Sequence, residues 1–127
     1  MEHVLVYSQS SGLMYLEDHE RNRVILARGY SGHGTSINDP DSEGFVGRGP
    51  IPRGIWKVGT PVQSVTMGPH CIPLSPAGHD AYHRSGFYIH GDNSRGDRSA
   101  STGCIIMPPH IRRAITDLRI DVLEVII

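Results

Sequence analysis

Long apolar runs are missing from this 127-residue chain. None approaches the ~20 residues that a bilayer-spanning helix needs, so the sequence predicts no membrane insertion. Charge of one sign is missing too. Twelve lysines and arginines stand against thirteen aspartates and glutamates, a formal net charge of -1. That balance gives no broad field to draw in nucleic acid or an anionic membrane. Cysteine is scarce, with Cys71 and Cys104 the two present. Two are too few for a disulfide scaffold, and they leave open either one bridge or a free reactive thiol. The opening MEHVLVYSQ has no basic segment followed by an apolar one, the pattern of a secretory signal. The expectation is a soluble protein that, if it acts outside its own cell, travels by another route. Internal repeats and low-complexity segments are absent as well. Length and composition, with 38% hydrophobic and 20% charged residues, fit a single domain over residues 1–127.

What the chain does have is punctuation. Fifteen glycines and nine prolines are spread along it rather than gathered in a linker. They cut it into short segments, which predicts a mainly β domain with long loops. His3 to Ser8 and Leu13 to Glu17 read as strands joined by turn chemistry at Gln9-Ser10-Ser11-Gly12. Arg23 to Arg28 extends them into a meander. Gly29 to Arg53 has almost no periodicity and is too long for a bland connector, so a functional loop is expected there. Further strands are read at Ile55–Val58, Val62–Thr66, Cys71–Leu74, Gly86–His90, Ile105–Met107 and Asp121–Ile127. One helix is predicted near residues 109–118. Pro108-Pro109 opens it, and Ile111, Ala114, Ile115 and Leu118 make one apolar face. Arg112 and Arg113 fall off that face and are expected in water.

Chemistry concentrates in YIHGDNSRGDRSASTGCIIM, Tyr88 to Met107. Cys104 follows a glycine and precedes an apolar strand, which puts its sulfur at a strand end. Gly103 lets a carbonyl approach the backbone, where the N–H groups of Gly103 and Cys104 can face a developing oxyanion. His90 closes the preceding apolar strand. Two strand ends joined by a long polar loop can lie side by side, bringing the histidine within reach of the thiol as its base. The Gly91 carbonyl or Asp92 would orient the ring. Ser101 would hold the loop through backbone hydrogen bonds. Tyr88 falls on the same side of the strand as His90 and is expected to pack beneath it. Taken singly, a cysteine is more often an inert small hydrophobe than a nucleophile. A metal reading would use His79, His83, His90 and Cys104, but no CxxC or HExxH accompanies them. The histidine-glycine strand end, polar loop and S-x-G-C together favour catalysis over a metal site.

These residues resemble the signature of the L,D-transpeptidase catalytic domain, the YkuD-like superfamily. His90-Gly91 matches its histidine-glycine pair, and Ser101-Thr102-Gly103-Cys104 its Ser/Thr-x-Gly-Cys. GYSGHGTSINDP at Gly29 to Pro40 and GPIPRGIWKVG at Gly49 to Gly59 are similar to a short bacterial branch that includes peptidoglycan-targeting toxins delivered by type VI secretion. The resemblance implies a YkuD-like β-sandwich or open barrel. It implies Cys104 as nucleophile, His90 as base, Gly91 as the orienting carbonyl, Gly103 and Cys104 as oxyanion donors, and Ser101 as the structural serine. Two positions depart from the signature. Thr102 stands where a second histidine is usual, and Ile106 where an arginine or asparagine is usual.

The implied substrates are peptidoglycan stem tetrapeptides. Their terminal D-alanine would leave through a Cys104 thioester that passes to water, a free D-amino acid or another stem. Arg53 is expected to meet a substrate carboxylate, and Tyr30, Ser31, Asn38 and Asp92 to line the groove. An antibacterial effector acting in the periplasm of a target cell would also imply a cognate immunity protein in the producer. Competing readings are a non-catalytic wall-binding module and a cysteine amidase or endopeptidase that cuts another peptidoglycan bond. A phage lysis enzyme or a piece of a housekeeping enzyme is the alternative setting.

Overall fold

A computed structural model describes residues 3–127. The first meander forms as its turn residues predict: β1 (His3–Ser8), β2 (Leu13–Asp18) and β3 (Arg23–Arg28) pair antiparallel in sequence order. Gly12, with φ 73°, supplies the left-handed turn between the first two. The segment from residue 29 onward contributes a two-residue strand, β4 (Tyr30–Ser31), and two short 3-10 turns at Gly34–Ser36 and Pro40–Ser42. Next come β5 (Gly54–Val58), β6 (Val62–Ser64), β7 (Gly68–Ala77), β8 (Phe87–His90) and β9 (Ile105–Ile106). The helix α1 (Pro109–Asp117) and β10 (Val122–Ile126) complete the set.

These strands form one mixed sheet in the order β3-β2-β1-β10-β5-β7-β8-β9-β4, with β6 paired to β7 off that path. Two pairings are parallel. One joins β1 to β10, so the first and last described strands meet in the middle of the sheet. The other joins β8 to β9 with Ile89 opposite Ile105 and His90 opposite Ile106. Parallel neighbours need a long crossover, and the polar loop from Gly91 to Cys104 supplies it.

The core gathers Leu5, Tyr7, Trp56, Ile72, Ile89, Ile105 and Leu123 from the sheet and Ile111 and Ile115 from α1. Trp56 sits edge-on to Phe87, with ring centroids 4.9 Å apart. The helix departs from the sequence reading in two ways. Leu118 is 49% exposed, because the helix ends at Asp117 and Leu118 caps it. Arg112, expected in water, is buried at 4% exposure. It donates from Nη1 to the carbonyls of Pro69 and His70, at 2.9 and 3.2 Å. Those carbonyls lie at the start of β7, where Pro69 offers no N–H of its own. The arginine therefore links helix to sheet at the strand ends that carry the site.

Candidate active site

The register of β8 and β9 decides how the two reactive side chains meet. Ile89 and Ile105 are partners and both face the core. Alternation then turns His90 to the opposite face, and Cys104, one residue before Ile105, to that same face. Cys104 lies one strand over and two residues along from His90, a diagonal that side chains of this length can cross.

His90 is buried, and its Nδ1 lies 2.8 Å from the Gly91 carbonyl. A carbonyl only accepts, so Nδ1 carries the proton and Nε2 is the basic nitrogen. Burial lowers the ring's pKa from its ordinary value, the Gly91 hydrogen bond works against that, and the Arg112 cation lowers it further. The imidazole is thereby held neutral, the form a base requires.

Cys104 is 8% exposed. Its thiol donates to the Gly86 carbonyl at 3.5 Å, and among the described residues no hydrogen bond joins it to His90. Burial pushes its pKa up to about 11, against a hydrogen bond from the Tyr88 backbone and the nearby Arg84 charge. The resting pair is therefore a neutral thiol and a neutral imidazole. Catalytic hydrogen bonds of this kind commonly tighten only when substrate binds. Cys71 is also free and buried, and its sulfur donates to the Gly68 carbonyl at 3.3 Å. The bridge left open by the sequence does not form, since β8 lies between β7 and β9. Strands two apart are roughly 9.5 Å distant, beyond the ~7 Å a disulfide can span.

Ser101 holds the turn before Cys104. Its hydroxyl donates to the Cys104 carbonyl at 2.6 Å and accepts from the N–H groups of Gly103 at 3.1 Å and Gly32 at 2.9 Å. Gly103 thus has its N–H already committed. The Cys104 N–H has no partner among the described residues and is the donor left for an oxyanion. Ser31 braces the turn from the other side, donating to the Gly103 carbonyl at 2.9 Å and accepting from Ile51 N–H at 2.9 Å. Asn38 in turn accepts from Ser31 N–H at 3.1 Å. Tyr30 donates to Asp92 at 2.7 Å and accepts from Ala100 N–H at 3.1 Å, tying down both ends of the polar loop. Burial and the Asp92 hydrogen bond raise its pKa to about 12. Ser31 therefore works within the scaffold, whereas Tyr30 and Asp92 line a cavity of about 430 Å3 and, with Asn38, a second of about 520 Å3.

Arg53 does not offer a free fork. Its guanidinium and backbone N–H all donate to Glu43, with Nη2 to Oε2 at 2.9 Å. Glu43 also accepts from Gln9 at 2.8 Å and Tyr82 at 2.8 Å. Burial alone would raise its pKa, but these hydrogen bonds outweigh burial and bring it down to about 2.

Two site residues escaped the sequence reading, Glu43 and Arg84. Arg84 is buried, and its guanidinium donates to the carbonyls of Glu43, Gly49, Pro50 and Thr102. Phe87 packs under it, 5.0 Å from ring centroid to Cζ. A Cβ on Gly103, where φ is 149°, would stand 2.6 Å from Arg84 Nη2. One cation thus joins the GPIPRG loop to the S-x-G-C turn. With Val46, Gly86, Phe87 and Thr102 it lines a cavity of about 290 Å3 that reaches Cys104. A separate cavity of about 220 Å3 reaches His90, beside Thr66, Met67 and Asn93. The approach to Arg84 is strained: Ala81, Tyr82 and His83 all take positive φ, at 51°, 56° and 61°. Such residues persist only where neighbours hold them, as Glu43 holds Tyr82 here. Of the histidine pair, His79 serves the scaffold, bonding the Ile55 carbonyl and Ala81 N–H, whereas the exposed His83 stands 3.3 Å from Asp80 and lines the cavity that reaches Cys104.

A family profile described as the Tlde1 domain matches residues 26–126. The chain belongs to the Tlde1 domain family. Its fold is that of the L,D-transpeptidases. The L,D-transpeptidase from Enterococcus faecium superposes with a TM-score of 0.61 at 15% identity, over 98% of this chain and 50% of that one. L,D-transpeptidase 1 from Mycobacterium tuberculosis gives 0.57 at 16% identity, over 98% and 61%. An L,D-transpeptidase from Mycobacterium smegmatis gives 0.55 at 17%, over 98% and 58%. This Tlde1 chain thus spans between half and two-thirds of these structures. No curated protein matches it. Among the described residues no helix is long and apolar enough to cross a membrane.

Proposed function

We propose that this Tlde1 domain is a cysteine acyltransferase acting on peptidoglycan stem tetrapeptides, with Cys104 as nucleophile and His90 as base. The carrying observation is the 2.8 Å bond from His90 Nδ1 to the Gly91 carbonyl. It leaves Nε2 as the proton acceptor on the sheet face that Cys104 shares. Sγ attacks the carbonyl of the third residue while its proton passes to Nε2. The Cys104 N–H faces the developing oxyanion. Collapse of the tetrahedral intermediate breaks the bond to the terminal D-alanine, whose amine takes the proton back from Nε2. The thioester then passes its acyl group to water, giving an L,D-carboxypeptidase, or to an amine, giving exchange or a cross-link. No step calls for a metal or an organic cofactor. Family membership supports an antibacterial effector acting in the wall of a target cell, with an immunity protein guarding the producer.

Mass spectrometry of tetrapeptide muropeptides, with and without added D-amino acid, tests this reading. The expected product has lost one alanine, or has exchanged it, and Cys104→Ala yields neither while keeping its fold. A split stem, a freed glycan or full activity in Cys104→Ala would overturn it.

A further inference from the structure

Arg112 is a buried cation whose hydrogen bonding is incomplete. It is 4% exposed, and its Nε has no hydrogen-bond partner among the described residues. A buried donor left unpaired is costly and uncommon. Only Nη1 is engaged, by the Pro69 and His70 carbonyls. Nε is closed off from solvent, so Nη2, which makes no hydrogen bond among the described residues, is the donor left for a ligand carboxylate. Arg112 lines the cavity of about 430 Å3 that Tyr30, Asp92 and Met107 also bound. A second cation, the exposed Arg28, stands on the same wall. One acid is present, Asp92, whose Oδ1 accepts from Tyr30 and from Asn93 N–H while Oδ2 has no partner among the described residues. The cavity shares Gly91 and Asp92 with the one that reaches His90, so a molecule beside the base can extend into it.

We propose that this cavity binds the zwitterionic head group of an amino acid, its carboxylate on Arg112 and Arg28 and its ammonium on Asp92. Two cations against one acid suit a group with both charges better than a simple anion or cation. The assignment rests on the reading of the neighbouring site as one for stem peptides. Two sources carry this chemistry there. One is the side-chain end of a diamino acid in the third position of the stem, which has its own α-amino and α-carboxyl groups. The other is a free D-amino acid that accepts the acyl group.

Calorimetric titration of the Cys104→Ala protein separates them. The probes are a tetrapeptide with that diamino acid, the same peptide with its side-chain carboxylate amidated, the same with lysine in third position, and free D-methionine. Binding of the parent peptide at least about tenfold tighter than the amidated and lysine peptides, a discrimination on the scale of one charge-assisted hydrogen bond, supports the donor source. Saturable D-methionine binding that the parent peptide displaces supports the acceptor source. Arg28→Ala and Arg112→Met should each erase whichever preference is seen, and Asp92→Asn should weaken it. Arg28 is exposed, so that arm stands even where Arg112→Met fails to fold. Equal binding of all three peptides together with no D-methionine binding overturns the assignment. Alanine release by the unmodified protein is followed in parallel on the parent peptide. Release with neither peptide discrimination nor D-methionine binding defeats the cavity alone, whereas arginine-dependent binding of either kind without release defeats the catalytic reading and leaves the cavity.

Discussion

The guanidinium of Arg112 fills the space that a side chain on Gly91 would occupy, with Nη2 2.8 Å from an ideal Cβ. The glycine of the His-Gly pair is thus a matter of room, not of backbone conformation. Gly91→Ala must push the guanidinium away or shift the carbonyl that orients His90. Overpacking of this kind costs about 1–3 kcal/mol. Thermal unfolding should show that loss, and turnover should fall further than the stability change explains. Arg112→Ala in the same chain should return part of it, a coupling of about 1 kcal/mol in a double-mutant cycle. Strict additivity would mean the two residues do not touch as described.

Ser101 gives the second prediction. Its hydroxyl is fully buried and serves three backbone groups at once. Ser101→Ala strands two N–H donors and a carbonyl, each costing about 1–3 kcal/mol if left dry. Denaturant unfolding should register a clear loss. The rate of Cys104 alkylation should change as well, because the turn that aims the sulfur has lost its brace. An unchanged stability would mean that water replaces the hydroxyl without penalty.

Activity should depend on pH in a way set by two neutral partners. His90 must be unprotonated to accept the Cys104 proton, and its pKa lies below the ordinary 6.5. The acid limb of kcat/KM should therefore fall below pH 6.5. The thiol, raised to about 11, stays protonated across the working range. Iodoacetamide should then alkylate it slowly at pH 7 without substrate, and faster as pH climbs toward 11. A fast reaction at pH 6, the mark of a preformed thiolate–imidazolium pair, would contradict this.

Glu43 predicts how acid weakens the fold. Its folded pKa of about 2 lies under the ordinary 4.5, so the unfolded chain binds a proton more readily between those values. The stabilisation is complete above about pH 4.5 and disappears as pH falls toward 2. A difference of that size amounts to about 3 kcal/mol at most. Glu43→Gln should flatten the fall in melting temperature between pH 5 and pH 3 (a window that brackets the ordinary carboxylate value). It should also loosen the turn at Tyr82.

Much of this was legible in the chain, for reasons of local chemistry. Turn residues marked the first meander, periodicity marked the helix, and the spacing from His90-Gly91 to Cys104 marked the candidate site. The rest depended on distance. Arg84, Glu43 and Arg112 look like ordinary surface charges in sequence, since the carbonyls and donors that satisfy them come from loops far along the chain. Of these three, only Arg112 had carried an explicit expectation, and burial overturned it. The strand β7 runs from Gly68 to Ala77 through Pro69, Pro73 and Pro76, which hide most of its length from a propensity argument. Arg53 shows the opposite failure. A cation in a glycine- and proline-rich loop reads as a substrate contact, yet Glu43, ten residues before it, already takes its fork.

The seating of β10 between β1 and β5 has a consequence in time. During synthesis the first meander and the half that carries His90 and Cys104 have no shared ladder until the last strand emerges to join them. Pairings this far apart in the chain close late and slowly. The two halves of the sheet therefore stay unjoined until β10 has paired with both, and the finished site waits on that pairing.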